Sequence, residues 1–482
     1  MQKEIAQLEP KEVWKYFLEI AKVPRPSKKE EKIIKYLLDF AKKNNLDHEQ
    51  DEIGNVLIRK AATNGSKRTV VLQSHMDMVC EKNADIEFDF DNDAIQPIIK
   101  DGWIKAQGTT LGADDSIGMA AELALLVATD IEHPALECLF TVDEETGLTG
   151  AFGLKPGFLK GDILLNLDSE DDGELFIGCA GGIDTLIEMP FTTETTPNNH
   201  KAFKIKISGL QGGHSGDDIQ KGRGNANKIL SRILWNGAEN LSLRFNEFNA
   251  GNLRNAIARE GSAIVTIPAA KEDELKNYIK EMDAIVKDEF HNTDAGVTIE
   301  IENTELPATV VDLKSQKNLL NSLYSCPHGV IAWSQDIDNF VETSTNLAAV
   351  KTKEDHFYIT TSQRSSVTSA KDNVKDMVTA AFKLTGSKII SGEGYPGWAP
   401  NPNSEIVKIT EESYEKLFST KPKVLAIHAG LECGLIGETY PNMDMISFGP
   451  DIRGAHSPAE AINIETVAKF WALTLDVLKK IK

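Results

Sequence analysis

A chain of 482 residues with 41% hydrophobic and 26% charged residues is typical of a globular protein with two or three domains. Its formal net charge of −21 argues against nucleic acid and anionic membranes as partners, because the chain would offer neither of them a basic surface. The first residues contain no apolar signal region, and the five cysteines lack C-x-x-C spacing, so we expect a cytoplasmic protein without disulfides or a thiolate zinc site.

Helical and strand patterns alternate in the first part of the chain. Ser27 and Glu30 form a capping-box pattern, which predicts the start of an amphipathic helix. Strand and helix patterns follow in the order NVLIRK, TVVLQS, SIGMAAELALLVA, LECLFTV and DILLNL. Because several of the strands are apolar on both faces, we predict an α/β domain with a mostly parallel sheet covered by helices.

The pattern changes near residue 182. FKIKISG, SAIVTIPAA and GVTIEIE alternate as half-buried strands do, and a second round of similar strands and helices follows them. We predict an inserted α+β lid domain over 182–393 with two related halves, each an open antiparallel sheet with helices on one side. The α/β pattern returns after a Gly- and Pro-rich linker, so residues 1–181 and 394–482 should form one discontinuous domain.

Polar side chains follow the predicted strands, where ligands bind in an open α/β sheet. In chain order these groups are His75-Met76-Asp77, Asp114-Asp115, Asp143-Glu144-Glu145, Asp168 and His456. Taken singly, each has an ordinary interpretation, such as a core-edge histidine or a helix N-cap. Together, two histidines and several carboxylates match the needs of two divalent ions, with one shared carboxylate and one left as a base.

Six motifs, SHMDMV, GTTLGADDSIGMA, TVDEETG, NLDSE, GGHSG and GAHSPAE, stand in the order found in the co-catalytic zinc peptidase family of aminoacylases, carboxypeptidases and dipeptidases. The chain resembles this family over nearly its whole length. Within the family it is most similar to the aminoacyl-histidine (Xaa-His) dipeptidases.

The resemblance implies two zinc ions, replaceable by Co²⁺ or Mn²⁺, that share one carboxylate ligand. The implied ligands are His75, Asp114 and Asp168 for one ion, and Asp114, Glu145 and His456 for the other. It also implies that Glu144 is the general base, that Asp77 orients His75, and that the Asp114-Asp115 peptide is cis. Because neighbouring strand residues point to opposite sides, we expect Glu145 to bind metal while Glu144 faces the attacking water.

The resemblance further implies roles for residues of the inserted domain. His214 would stabilise the oxyanion, and Asn255 and Arg364 would hold the C-terminal carboxylate of the substrate. The ordinary interpretations are an exposed histidine in a glycine-rich hairpin and surface salt bridges. We expect the inserted domain to close about hinges at 179–182 and 391–397, with His214 supplied by its own chain within a homodimer.

We therefore predict a dinuclear metallo-dipeptidase that hydrolyses unblocked small peptides, preferably Xaa-His dipeptides such as β-Ala-His. One alternative is an aminoacylase or deacetylase of the same fold, and another is a metal-free peptide-binding relative. The complete ligand set and Glu144 argue against the metal-free relative. The role of Glu432, in the segment HAGLECG, is left open by the sequence.

Overall fold

The computed structural model describes residues 2–401, 403–428 and 430–482. The chain divides into two compact units. Unit 1 consists of Met1–Gly178, Trp398–Ala426 and Leu431–Lys482, and unit 2 consists of Cys179–Gly397 and Ile427–Gly430. The expected boundaries at 181/182 and 393/394 lie within four residues of the two main changes of unit, whereas no sequence signal indicated the return to unit 2 at 427–430.

The first part of unit 1 alternates helices and strands. The helices are α1 (Gln2–Ile5), α2 (Lys11–Ile20), α3 (Glu31–Lys43), α4 (Ala113–Val127), α5 (Glu144–Gly147) and α6 (Thr149–Gly153). The strands are β1 (Asp47–Gln50), β2 (Val56–Lys60), β3 (Thr69–His75), β4 (Ile98–Lys100), β5 (Trp103–Lys105), β6 (Ala135–Thr141), β7 (Ile163–Asn166) and β8 (Glu174–Cys179).

Unit 2 is richer in strands. Its strands are β9 (Gly181–Pro190), β10 (Thr193–Thr195), β11 (His200–Ser208), β12 (Arg244–Gly251), β13 (Gly261–Pro268), β14 (Thr298–Asn303), β15 (Thr309–Val311), β16 (Gly329–Trp333), β17 (Val341–Thr352), β18 (His356–Ser365) and β19 (Lys388–Ser391). Its helices are α7 (Ala226–Leu241), α8 (Glu272–Glu289), α9 (Leu313–Ser325) and α10 (Thr368–Lys383).

The last part of the chain returns to unit 1. Its helices are α11 (Glu405–Phe418), α12 (Glu432–Thr439) and α13 (Ile464–Lys480). Its strands are β20 (Lys423–Ile427), β21 (Asp444–Ser447), β22 (Ile452–Arg453) and β23 (Ala461–Asn463).

The main sheet of unit 1 has eight strands in the order β1-β2-β6-β3-β7-β21-β8-β20. The four central strands, β6, β3, β7 and β21, run parallel, as predicted. The pairs β1/β2, β2/β6 and β21/β8 are antiparallel. Strands β3 and β7 are buried almost throughout, which explains their apolar sequences on both faces. The carboxyl ends of the four central strands therefore meet at one edge of the sheet.

The sheet of unit 2 has nine strands in the order β14-β11-β13-β12-β17-β18-β9-β19, and β16 also pairs with β17. Its two halves follow the same pattern along the chain, β11-α7-β12-β13-α8-β14 and β9-α9-β17-β18-α10-β19. Each half also places its strands in the same order from its outer edge inward, β14-β11-β13-β12 and β19-β9-β18-β17. The prediction of two related halves is confirmed.

The prediction that each half has a separate sheet is wrong. Strands β12 and β17 pair antiparallel from Asn249↔Lys351 to Gly251↔Ala349, so the halves form one sheet. They also share one apolar core, in which the ring centroids of Phe245 and Phe357 lie 6.0 Å apart. The burial of this common core explains why the two halves join in one sheet.

The capping-box prediction at Ser27 is also wrong. Helix α3 begins at Glu31, and the side chain of its N-cap residue, Glu30, makes no capping hydrogen bond among the described residues. Instead, the Ser27 hydroxyl donates to Asp77 Oδ2 at 2.7 Å, and Glu30 Oε1 accepts the backbone N–H of Asp143 at 3.0 Å. Both side chains serve buried polar groups of the loops that follow β3 and β6 rather than their own helix.

Within the described residues, none of the helices combines the length and the apolarity needed to cross a membrane. In the same part of the chain, the five cysteines form no disulfide.

Candidate active site

The loops that follow the central strands of unit 1 bring the predicted ligands together. His75 is the last residue of β3, the two glutamates follow β6, and Asp168 follows β7. Asp114 lies at the start of α4, and His456 lies in the segment after β21. The site therefore occupies the carboxyl edge of the parallel strands, as the sequence analysis expected.

The Asp114 carboxylate lies between two histidines. Its Oδ1 is 2.8 Å from His75 Nε2, and its Oδ2 is 3.2 Å from His456 Nε2. Asp168 Oδ1 is 3.4 Å from the same His75 nitrogen, and Glu145 Oε2 is 2.9 Å from the same His456 nitrogen. The five side chains thus form two groups, each with one imidazole and two carboxylates, that share Asp114.

This arrangement fits two divalent metal ions. Ligand atoms of one tetrahedral zinc ion lie roughly 3.3 Å apart, close to the separations within each group. The two groups adjoin each other, because ligand atoms of His75, Asp114 and Glu145 also lie within 4.8 Å of one another. Glu145 Oε1 is buried and lacks a hydrogen-bond partner in the described structure. A metal ion would satisfy that oxygen.

The electrostatics of the site favour bound positive charge. Hydrogen bonds to Asp114 and Glu145 raise the pKa of His456 to about 11, so a cation is stabilised between these carboxylates. Burial raises the pKa of Asp168 well above its ordinary value, although His75 opposes the effect. Removing such carboxylates from water is costly unless cations neutralise them.

Asp77 supports both the histidine and the glutamates. Its Oδ1 lies 3.4 Å from His75 Nδ1 and accepts the backbone N–H of Glu144 at 3.0 Å. Its Oδ2 accepts the backbone N–H of Glu145 at 3.3 Å. The Asp77 carboxylate therefore fixes the orientation of one candidate ligand and the position of the candidate base.

The expected strand-like alternation of the two glutamates is wrong. Asp143 has a left-handed backbone with φ 50°, and Glu144 then begins the short helix α5. Successive positions of a helical turn point in different directions, so a helical turn still separates the directions of the two side chains. Burial raises the pKa of Glu144 well above its ordinary value, against the opposing charge of His75. A raised pKa makes this carboxylate a stronger proton acceptor than an ordinary glutamate.

Comparison with known proteins identifies the family. A model of peptidase family M20/M25/M40 matches residues 71–480. The chain belongs to this family. The M20 peptidase is 43% identical over 480 residues to the cytosol non-specific dipeptidase of Escherichia coli (strain K12), covering 99% of both chains. The resemblance stated from the sequence motifs is thereby confirmed.

Solved structures agree with this assignment. The aminoacylhistidine dipeptidase from Vibrio alginolyticus is 43% identical to this M20 peptidase and superposes with a TM-score of 0.95, covering 99% of this chain and 98% of that one. The aminopeptidase PepT from Bacillus cereus is 18% identical with a TM-score of 0.62, covering 98% of this chain and 99% of that one. The second match shows a shared fold only.

The loop that carries Asp114 in this M20 peptidase contains the expected backbone feature. The Asp114-Asp115 peptide is cis, which confirms the prediction. The two residues have non-helical backbone angles although they lie inside α4. Asp115 Oδ1 accepts the backbone N–H of Gly118 at 3.0 Å, so Asp115 does cap the following helical turns.

Three buried residues that support the site of the peptidase were not predicted from the sequence or were given no role there. They are Arg25, Glu432 and Glu460. Glu432 Oε2 accepts hydrogen bonds from Gln73 Nε2 at 2.6 Å and from Thr141 Oγ1 at 2.7 Å, which ties β3 to β6 just before both strands reach the site. Sequence spacing could not reveal these contacts, because the partners are far apart in the chain.

In unit 2, His214 and Asn255 line one cavity of about 770 Å³. His214 Nδ1 lies 3.2 Å from Asp217 Oδ2, and the backbone N–H of Ser215 donates to the Asn255 carbonyl at 2.8 Å. The His214 side chain is 36% exposed, and Asn255 is exposed. Both residues are therefore available to a ligand.

Arg364 of the peptidase is buried, with 9% of its surface exposed. Its Nη1 donates to the Tyr395 hydroxyl at 3.1 Å, and its buried Nε has no partner among the described residues. Within the described ranges, no carboxylate lies within 4.0 Å of this guanidinium. The surface salt-bridge interpretation is therefore wrong for Arg364, and the site suits an anionic ligand.

His428 is a further residue of unit 2 with an unsatisfied polar atom. Its Nε2 lies 2.7 Å from Ser344 Oγ, and its buried Nδ1 has no partner in the described part of the chain. Burial and the nearby charge of Arg364 lower the pKa of His428 to about 3, so this imidazole is neutral.

Proposed function

We propose that this M20 peptidase hydrolyses unblocked dipeptides, preferably Xaa-His dipeptides such as β-Ala-His, with two divalent metal ions, zinc in the first instance. The single observation that carries the proposal is the Asp114 carboxylate, which lies between two imidazole–carboxylate groups. The names of the Escherichia coli and Vibrio alginolyticus relatives both describe dipeptidases, which supports this substrate class.

We assign the metal ions to the five clustered side chains. One ion would be held by His75, Asp114 and Asp168, and the other by Asp114, Glu145 and His456. When bound, the ions would polarise the scissile carbonyl and lower the pKa of the attacking water. Cysteine takes no part in either site.

The chemistry assigned to the protein itself centres on Glu144. Its carboxylate takes a proton from the attacking water and then gives it to the leaving amine nitrogen. Asp77 keeps this base in place through the backbone N–H of Glu144, and it orients the His75 ring. The turn after β6 therefore supplies both the base and a ligand.

We also assign substrate contacts to unit 2. His214 would donate to the developing oxyanion, and Asn255 and Arg364 would hold the substrate's C-terminal carboxylate. The buried Nε of Arg364, which has no hydrogen-bond partner among the described residues, supports this role, because a substrate carboxylate would satisfy it. Such contacts would explain a requirement for a free C-terminus.

A substrate panel tests the proposal. It comprises β-Ala-His, other Xaa-His dipeptides, dipeptides with another C-terminal residue, a tripeptide and N-acetyl amino acids, with bound metal measured on the same sample. We expect fastest turnover of Xaa-His dipeptides and little turnover of N-acetyl amino acids. Preferential hydrolysis of N-acetyl amino acids would instead identify an aminoacylase, and no hydrolysis by the metal-loaded protein would identify a binding protein.

We further propose a cytoplasmic homodimer in which each chain supplies its own His214. Mixing inactive His214→Ala and Glu144→Gln variants tests this assembly. We expect the mixture to stay inactive, because every chain lacks one required group. Restored activity would show that His214 acts on the partner subunit's site.

A further inference from the structure

Glu460 connects the segment that carries His456 to the loop that carries Asp114. It lies four residues after His456, and only 2% of its surface is exposed. Both oxygens of its carboxylate accept backbone N–H groups. The donors to Oε2 are Leu111 at 2.7 Å and Gly112 at 2.9 Å, and the donors to Oε1 are Ala113 at 2.7 Å and Asp114 at 3.4 Å.

The loop needs such an acceptor because it forms the start of α4. Asp114 and Asp115 have non-helical backbone angles, so the buried N–H groups at 111–114 lie before the regular turns and need acceptors from outside the helix. Glu460 therefore supplies from a distant segment the acceptors for the loop N–H groups, while Asp115 caps the turns that follow.

Arg25 holds the other side of the same loop. It is 1% exposed, and its Nη2 donates to the Gly112 carbonyl at 2.6 Å while its Nη1 donates to the Asp77 carbonyl at 2.8 Å. A Cβ on residue 112 would lie 2.5 Å from Arg25 Nη2, and residue 112 has φ +66°, so only glycine fits there. The loop is thus fixed through both its N–H and its C=O groups.

We propose that Glu460 is a positioning residue that sets the place of Asp114 relative to His456, and so determines how tightly the shared metal site binds. The inference rests on the proposed metal function. Glu460 would touch neither the metal ions nor the substrate. It acts through the backbone of the ligand loop, as outer hydrogen-bond partners of metal ligands do.

Glu137 provides a matched control. It is also 2% exposed, and its Oε2 accepts the backbone N–H groups of Lys160 at 2.7 Å and Gly161 at 2.9 Å. Its other oxygen pairs with Arg59 Nε at 3.1 Å. The interactions are of the same kind, but the loop they hold carries none of the assigned ligands.

The test compares Glu460→Gln with Glu137→Gln in the full-length protein. An amide presents its NH₂ group to N–H donors that need an acceptor, so each variant should loosen its own loop. Hydrogen exchange before and after chelation should accelerate at 111–114 in Glu460→Gln, and at 160–161 in Glu137→Gln. Chelator competition with Co²⁺ should show roughly 10- to 100-fold weaker binding for Glu460→Gln and less than about twofold change for Glu137→Gln.

Unchanged metal affinity in Glu460→Gln, or equal loss in both variants, would overturn the inference. If Glu460→Gln does not fold, Glu460→Asp serves instead, because it keeps the charge but shortens the side chain by one methylene. It should give the same localised exchange and a smaller loss of affinity, and wild-type affinity would count against the proposal. Failure of the wild-type protein to bind metal would contradict the proposed function instead.

Discussion

Asp77 Oδ1 accepts the backbone N–H of Glu144 at 3.0 Å. The same oxygen lies 3.4 Å from His75 Nδ1, so one carboxylate orients a candidate ligand on β3 and the candidate base after β6. Substitution of Asp77 should therefore weaken metal binding and slow proton transfer together.

Asp77→Asn should weaken metal binding roughly 10- to 100-fold and also lower kcat, because the amide keeps one accepting oxygen, whereas the carboxylate uses one oxygen beside His75 and Glu144 and the other for Glu145. Chelator competition and steady-state kinetics measure the two effects. Ser27→Ala is the control, since it removes only the hydroxyl that donates to Asp77 Oδ2. Losses of equal size in the two variants would contradict the role given to Asp77.

Glu144→Gln and Glu145→Gln should separate catalysis from metal retention. Glu144→Gln should keep its metal and lose ~10²–10⁴ in kcat, because an amide cannot take the proton from water. Glu145→Gln should lose metal from one site, because Glu145 Oε2 lies 2.9 Å from His456 Nε2 in the shared cluster. Metal analysis and kinetics on the same samples test the pair, and identical behaviour would refute the division of roles.

Arg364→Met should lower kcat/KM for a dipeptide with a free C-terminus by roughly 10- to 100-fold. A loss of this size corresponds to the removal of one hydrogen bond between charged groups, here between Arg364 and the substrate carboxylate. The same change should matter little for the corresponding C-terminal amide. Arg254→Met is the control, because Arg254 is an exposed arginine of the same unit that pairs with Asp184. An equal loss with the amide substrate would show that Arg364 does not bind the carboxylate.

Glu122→Gln tests the pH dependence of stability away from the site. Glu122 is fully buried, and burial raises its pKa well above the ordinary value of 4.5. The proton therefore stabilises the folded protein below pH 4.5, and this contribution is lost as the pH rises towards the folded-state pKa.

Because glutamine does not titrate, the stability of Glu122→Gln relative to wild type should rise above pH 4.5, by at most about 1.4 kcal/mol per pH unit. Thermal unfolding of both proteins at pH 5 and pH 8, with metal saturating, measures the difference. Glu87→Gln, at an exposed carboxylate, is the control. A relative stability that falls with pH would refute the assignment.

Local patterns predicted much of the fold. The helix pattern IETVAKFWALTLDVLKK matches α13, Ile464–Lys480, and TVVLQS matches β3 up to its last residue, His75. These elements are predictable because their periodicity reports which faces are buried. The polar residues at strand ends then predicted a cluster of histidines and carboxylates, and the family resemblance implied that Asp114 is the shared one.

Long-range contacts could not be read in the same way. Ser27 and Glu30 carry a local capping signal, but buried groups of Asp77 and Asp143 attract their side chains instead. The support of Asp114 by Glu460 spans 346 positions of sequence. Every residue except proline has a backbone N–H, so the sequence of 111–114 does not indicate that its N–H groups need a distant acceptor. Glu460 therefore cannot be distinguished in the sequence from other acidic residues.

Titration of the metal-stripped enzyme tests whether the cluster around Asp114 holds two divalent ions that are needed for dipeptide hydrolysis. Co²⁺ is added stepwise while bound metal and β-Ala-His hydrolysis are measured on the same sample. We predict negligible turnover before addition, binding of two ions per chain, and full activity when both are bound. Full turnover by the stripped protein would contradict the account.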